Sequence, residues 1–137
     1  MAASSLHFSS RRGSTLVESA LAILVFAILL VGIMDLGFTG FVVNSVTFAA
    51  QRAARYASVR GSGSGHAATA SDIQAIAQEY AAPLAATALT VQVSWTPNNN
   101  PGSTVRVQVS FTFTPALVSL SAGPWTLQGT ASQAITQ

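Results

Sequence analysis

Four carboxylates, Glu18, Asp35, Asp72 and Glu79, six arginines and two histidines are the only charged or imidazole side chains that this 137-residue chain offers to acid–base or metal chemistry. They do not converge in the sequence. His7 and His66 stand far apart, without a neighbouring Ser–Asp or cysteine arrangement, and two histidines in a chain without cysteine make a poor metal site. No enzymatic constellation is recognisable, so the chain reads as a non-enzyme with no catalytic, metal or cofactor site. The one acid in a surprising place is Glu18. It is the single ionisable group between Thr15 and Met34, a run of 20 residues. As a helix, that run spans about 30 Å, the thickness of a bilayer's hydrocarbon core. A carboxylate inside such a segment costs on the order of 2–3 kcal/mol unless it stays neutral, snorkels or finds a partner. The chemistry to explain is therefore ion pairing in an apolar setting, with simple snorkelling from a membrane anchor as the plain alternative.

The elements that position Glu18 follow from the pattern around it. Arg11 and Arg12 are the only basic residues before the apolar block, and the positive-inside bias puts that end in the cytoplasm and everything after Met34 across the membrane. The apolar run continues into Asp35-Leu36-Gly37-Phe38 without the small-residue cleavage site of an ordinary secretory signal. Beyond it, Val43, Val46, Ala50, Ala53 and Ala57 recur at spacings of three and four, one alanine-rich helical face, with Arg52, Arg55 and Tyr56 largely off it. No proline occurs from Ser14 to Arg60, so one helix over 14–60 is expected, its part 14–34 in the membrane; Gly61-Ser62-Gly63-Ser64-Gly65 ends it as a flexible connector.

Ser71, with Gln74 three residues on, predicts the start of a short helix carrying Ile73, Ile76, Ala77 and Tyr80, up to about Ala82. The remainder is β in character. Residues 88–96 and 103–114 alternate apolar and polar about the turn 97–102, which predicts an antiparallel hairpin. Val91, Val93, Val107, Val109 and Phe111 should face the alanine stripe, and Trp125–Ser132 makes a third strand. Half of the residues are hydrophobic and only 7% are charged, against roughly 25% in a soluble domain, which suits a chain living in lipid or packed against copies of itself. With Arg11 and Arg12 set aside, four arginines balance four acids, and no electrostatic footprint for nucleic acid remains.

Three pieces of this chain resemble a known family: Gly13-Ser14-Thr15-Leu16-Val17-Glu18 after the arginine pair, Gly32-Ile33-Met34-Asp35-Leu36-Gly37 closing the apolar block, and Ala49-Ala50-Gln51-Arg52-Ala53-Ala54-Arg55-Tyr56-Ala57. Together they are similar to the type IV pilin class and, more narrowly, to the TadE-like pseudopilins of tight-adherence (Tad/Flp) systems. Ser19, Gln51 and Ala53 depart from the residues common in that family. The resemblance implies an α+β, type IV pilin-like fold: a cytoplasmic leader (1–13), a long N-terminal transmembrane helix (14–60), and a small extracytoplasmic domain (61–137) with a short helix and an antiparallel sheet of about three strands. It also implies cleavage between Gly13 and Ser14 by a prepilin peptidase, a recognition or assembly role for Glu18, and a helix motif in Asp35, Arg52, Arg55 and Tyr56. The implied partners are that peptidase, other pilins and pseudopilins met through the helix, the pilus assembly platform and the membrane. The implied place is the bacterial cytoplasmic (inner) membrane, with the C-terminal domain outside, and then a pilus or the cell surface. The competing reading is a monomeric, single-pass, membrane-anchored binding module or adhesin using Trp95, Trp125 or the Asn98–Asn100 loop.

Overall fold

The computed structural model describes residues 10–82, 84–116 and 123–137, with side chains from Gly13 onward. Residues 1–9 of the expected leader lie outside the described residues. Helix α1 runs unbroken from Ser10 to Ser58, 49 residues and about 73 Å of rise. It begins ahead of Gly13 rather than at Ser14, and stops two residues short of Arg60. Helix α2 covers Ala70–Tyr80, and β1 (Leu89–Thr96), β2 (Thr104–Phe113) and β3 (Trp125–Ala134) form one antiparallel sheet in the order β1-β2-β3. The expected α+β layout of long helix, short helix and three-stranded sheet is present.

The two halves of α1 meet different surroundings. From Gly13 to Met34 it is exposed except at the half-buried Val31 and Gly32, with Leu16 at 72% and Met34 at 71% relative exposure. From Val42 onward it buries Val46, Ala49, Ala50, Ala53, Ala54 and Ala57 as well. The expected face is correct in Val46, Ala50, Ala53 and Ala57, but Val42 takes the inward place and Val43 is 40% exposed. Spacings of three and four both lie on one helical face, so stepping back from Val46 allows either valine. The position of the sheet selects Val42.

Val105, Val107, Val109 and Phe111 of β2 are all buried. The hairpin register pairs Val91 with Val109 and Val93 with Val107. Helix α1 lies across β2 and β3, while β1 is covered by α2. Val91 and Val93 sit half-buried, packed against the core that contains the alanine stripe. The approach of β3 to α1 is closest at Gly129. A Cβ there would lie 2.5 Å from the backbone N of Thr47 and 2.6 Å from the carbonyl carbon of Val46. Backbone meets backbone, and no side chain fits between them.

The C-terminal end of α1 is tied rather than loosely linked. Ser62 N donates to the carbonyl of Asn99 at 2.8 Å and Ser62 Oγ to Oδ1 of Asn100 at 2.6 Å. Thr136 N donates to the carbonyl of Ser58 at 2.8 Å, satisfying one of the carbonyls that a helix end leaves open. Gly61 is buried beneath Ile135 and Gln137, where a Cβ would come within 2.4 Å of Ile135 Cγ2. The Gly–Ser run expected to be a flexible connector is a pinned turn, with a short 3₁₀ segment at Ser62–Ser64.

The N-cap of α2 lies two residues earlier than Ser71. Thr69 is the N-cap: Asp72 N donates to Thr69 Oγ1 at 3.2 Å, and Thr69 N donates to Asp72 Oδ2 at 3.0 Å. Ser71 lies inside the first turn. The two hydrogen bonds from Thr69, backbone first and then side chain, hold the Asp72 carboxyl below its ordinary value of 3.8.

Two predictions follow from this packing. Gly129→Ala inserts a methyl group where only backbone fits, and Ala53→Glu buries a charge without a partner. The first costs about 1–3 kcal/mol or more by overpacking and the second about 3–5 kcal/mol. Both should appear as loss of protease resistance of residues 61–137, while the protein stays membrane-bound; unchanged resistance in Ala53→Glu would contradict the packing described. The Thr69–Asp72 cap makes a pH-dependent contribution. Because folding lowers the Asp72 pKa, its stabilisation is complete above the ordinary carboxylate value of 3.8 and fades as pH falls through the lowered one. The melting-temperature gap between wild type and Asp72→Asn should be constant near neutrality and close as the pH drops below 3.8.

Candidate functional site

Gly13, Ser14 and Glu18 occupy the first turns of α1, all exposed. A Cβ added at Gly13 would meet nothing within 4 Å, so the fold of the domain places no demand for glycine there. Glu18 lies one helical turn beyond Ser14. Its neighbours on the exposed helix surface are Ser14 and Thr15 on one side and Leu21 and Ala22 on the other. The stretch Gly13–Ser58 is long and apolar enough to cross a membrane, and its most apolar window is not buried by the rest of the protein. The threonines after the span hide their hydroxyls: Thr39 Oγ1 donates to the Asp35 carbonyl at 2.8 Å and Thr47 Oγ1 to that of Val43 at 2.7 Å.

Asp35 does more than mark where the apolar run ends. Its Oδ1 accepts a hydrogen bond from the backbone N–H of Ala116 at 3.2 Å, joining α1 to the chain just past β2 across 81 residues of sequence. Aromatic rings reinforce this junction. Phe113 at the end of β2 lies edge-on to Phe38 of α1 at 5.3 Å and to Trp125 of β3 at 6.4 Å.

The helix motif divides. Arg52 places its guanidinium 4.9 Å from the ring centre of Phe48 and 5.6 Å from that of Tyr80. These rings meet edge-on at 5.8 Å, so Arg52 pins α2 to α1 by cation–π contact, worth about 0.5–1 kcal/mol at an exposed site. Arg55, in the last turn of α1, also suits the negative end of the helix dipole. Both arginines line an open groove of about 480 Å³ between α1 and residues 130–133 of β3. Tyr56 faces elsewhere: half-buried, it accepts a hydrogen bond from Arg60 Nη1, whose guanidinium stacks 4.3 Å over its ring. Glu18 is 34 residues from Arg52, about 51 Å along the helix axis, so acid and arginines are not parts of one site.

The ligand-contact candidates of the binding-module reading are largely used within the fold. Asn98 Oδ1 accepts from Asn100 N at 3.0 Å and from Ser103 Oγ at 2.7 Å, and Asn100 receives Ser62. Trp95 packs against the core. Trp125, by contrast, remains 38% exposed. Among the described residues no three His, Asp or Glu side chains gather into a group able to hold a metal ion. Sequence reasoning missed Gly129, the Asp35–Ala116 bond and the Thr69–Asp72 cap. A glycine inside a strand was a readable sign of close backbone approach; the 81-residue contact had no local signature.

No curated protein and no solved structure matches the chain. Residues 13–55, from the glycine ahead of the apolar span to the second arginine of the helix motif, do match the family model of TadE-like proteins.

Proposed function

We propose that this chain is a minor pilin or pseudopilin that acts in the structure or assembly of a Tad, type IV-like pilus. It is inserted with its N-terminus in the cytoplasm, cleaved after Gly13 by a prepilin peptidase, and packed through α1 against other pilins on the assembly platform. The role is structural, with no catalytic step. One observation carries the reading: the TadE-like match covers the apolar helix and begins at Gly13, the residue at which cleavage is expected. The exposed apolar first half of α1 supports it, since that surface suits lipid before assembly and neighbouring helices afterwards.

Glu18 supplies the register in this reading. Cleavage creates a free α-amine on Ser14, largely protonated at neutral pH. Within one chain, the carboxylate gains about 0.3–1 kcal/mol near the helix N-terminus. Between chains, it meets the Ser14 amine of a neighbour. Leaving either charge alone in a dry surrounding costs about 3–5 kcal/mol, so subunits that align both charges are favoured over those that do not.

Intact-mass measurement of the native protein tests the processing step, with an N-terminus at Ser14 expected. Gly13→Leu should leave the precursor uncleaved in the membrane, and a native mass that retains residues 1–13 would overturn the reading. Glu18→Gln should preserve insertion and cleavage while reducing crosslinking to other pilins at least tenfold, the equivalent of about 1.4 kcal/mol. Full co-assembly without the carboxylate would assign Glu18 to the anchor alone.

A further inference from the structure

At the junction of the apolar helix and the sheet lies a groove of about 380 Å³, almost wholly apolar, that the function proposed above does not use. Leu29, Gly32, Ile33 and Leu36 of α1 form one wall, and Pro115 and Trp125 form the other. The helical wall is itself the end of the membrane span. Leu29 is six residues before Asp35, the first charge after the span, or about 9 Å below it along the axis. A groove that reaches from Leu29 to Leu36 therefore opens below the charged boundary, at the depth of the glycerol and upper acyl region. Trp125 is held at that depth by the edge-on contact to Phe113, which in turn packs on Phe38. The Asp35–Ala116 hydrogen bond fixes the neighbouring backbone to the helix.

We propose that the end of the sheet bearing Pro115 and Trp125 is a membrane foot: the groove takes the upper acyl chain of a bilayer phospholipid, and Trp125 sits in the membrane interface. Three features select lipid as the occupant. The groove is continuous with the helix surface that already faces hydrocarbon. Its lining is apolar apart from Asp35 and Thr39, whose Oγ1 is bonded back to the Asp35 carbonyl. A tryptophan with one face packed and one exposed matches the amphipathic ring that prefers the headgroup level. The foot gives the domain a second attachment besides α1, so its sheet meets the membrane at a set orientation and does not swing freely about the helix end.

This inference rests on the anchor reading of α1, and the test separates the two. The chain has two tryptophans, and Trp95 belongs to the opposite, hairpin-turn end of the sheet. Full-length protein carrying Trp95→Phe is reconstituted in phosphatidylethanolamine–phosphatidylglycerol vesicles, with and without phosphatidylcholine brominated near the glycerol end of its chains. Trp125 emission should fall roughly twofold in brominated vesicles and resist aqueous acrylamide, as an interfacial indole does. In Trp125→Phe protein, Trp95 should show the reverse; subtracting its signal from wild type gives the same answer should Trp95→Phe misfold. Trp125 quenched by acrylamide and untouched by bromolipid, in protein that survives a carbonate wash, would overturn the foot while leaving the anchor intact. Shielding from both quenchers would mean that a neighbouring copy fills the groove, and would overturn it too. Protein released by carbonate would remove the anchor and the foot with it.

Discussion

The whole domain depends on the approach of β3 to α1 at Gly129. A strand normally stands off a helix by the depth of its side chains. Here the backbones of Gly129 and of Val46–Thr47 occupy adjoining space, because the strand contributes no Cβ and the helix contributes mostly alanine. Close approach at this point sets how near the sheet lies to the helix. It also lets β2, the central strand, drive Val105, Val107 and Val109 fully into the space beside it. Alanine itself brings little apolar area. The stabilising burial comes from those valines, Phe111 and Ile73, each worth about 1.5–3 kcal/mol, laid on a nearly flat platform. The alanine density of residues 49–57 is thus a demand of the sheet more than of helix propensity.

The solvent-facing side of the sheet is built with few charges. Gln108 Nε2 donates to Gln128 Oε1 at 3.0 Å, Thr112 and Thr126 share a hydrogen bond at 3.2 Å, and Arg106 Nε reaches Ser132 Oγ at 3.4 Å. This cross-strand ladder ties β2 to β3 through neutral polar groups, the pairing that stabilises a half-exposed sheet. It also explains how a chain with only 7% charged residues can carry an aqueous domain.

How much of this was legible in the sequence depended on whether the signal was periodic or long-range. The alternation in 89–96 and 104–114 is strict, so strand identity and inward face could be read, and the register Leu89↔Phe111 through Thr96↔Thr104 agrees with that alternation. The helical face was readable to within one residue, with Val42 and Val43 equivalent on spacing alone. The start of α2 was not, because Thr69–Asp72 and Ser71–Gln74 are overlapping capping patterns and the shorter Asp side chain closes the box that forms. The Asn98–Asn100 turn looked like an exposed loop. Its partners, Ser62 and Ser103, come together only once the hairpin tip folds back onto the end of α1. Asp35 and Ala116 illustrate the limit: a single hydrogen bond between residues distant in sequence leaves no local trace.

These contacts bear on the apolar half of α1 because the helix is continuous. With no proline from Ser14 to Arg60 and no break from Ser10 to Ser58, a rotation fixed at one level is carried to the others. The Gly129 contact sets the azimuth of the helix at Val46–Thr47, and the Asp35–Ala116 bond sets it again about 17 Å nearer the N-terminus. Two constraints at separate heights determine both the rotation and the tilt of the domain on the helix, where either one alone would leave a swivel. The side of α1 that the sheet covers is thereby chosen, and so is the side of the apolar span left open. Glu18 belongs to that same rigid body. The direction in which its carboxylate leaves the helix is set by packing some 40 Å away, in the domain.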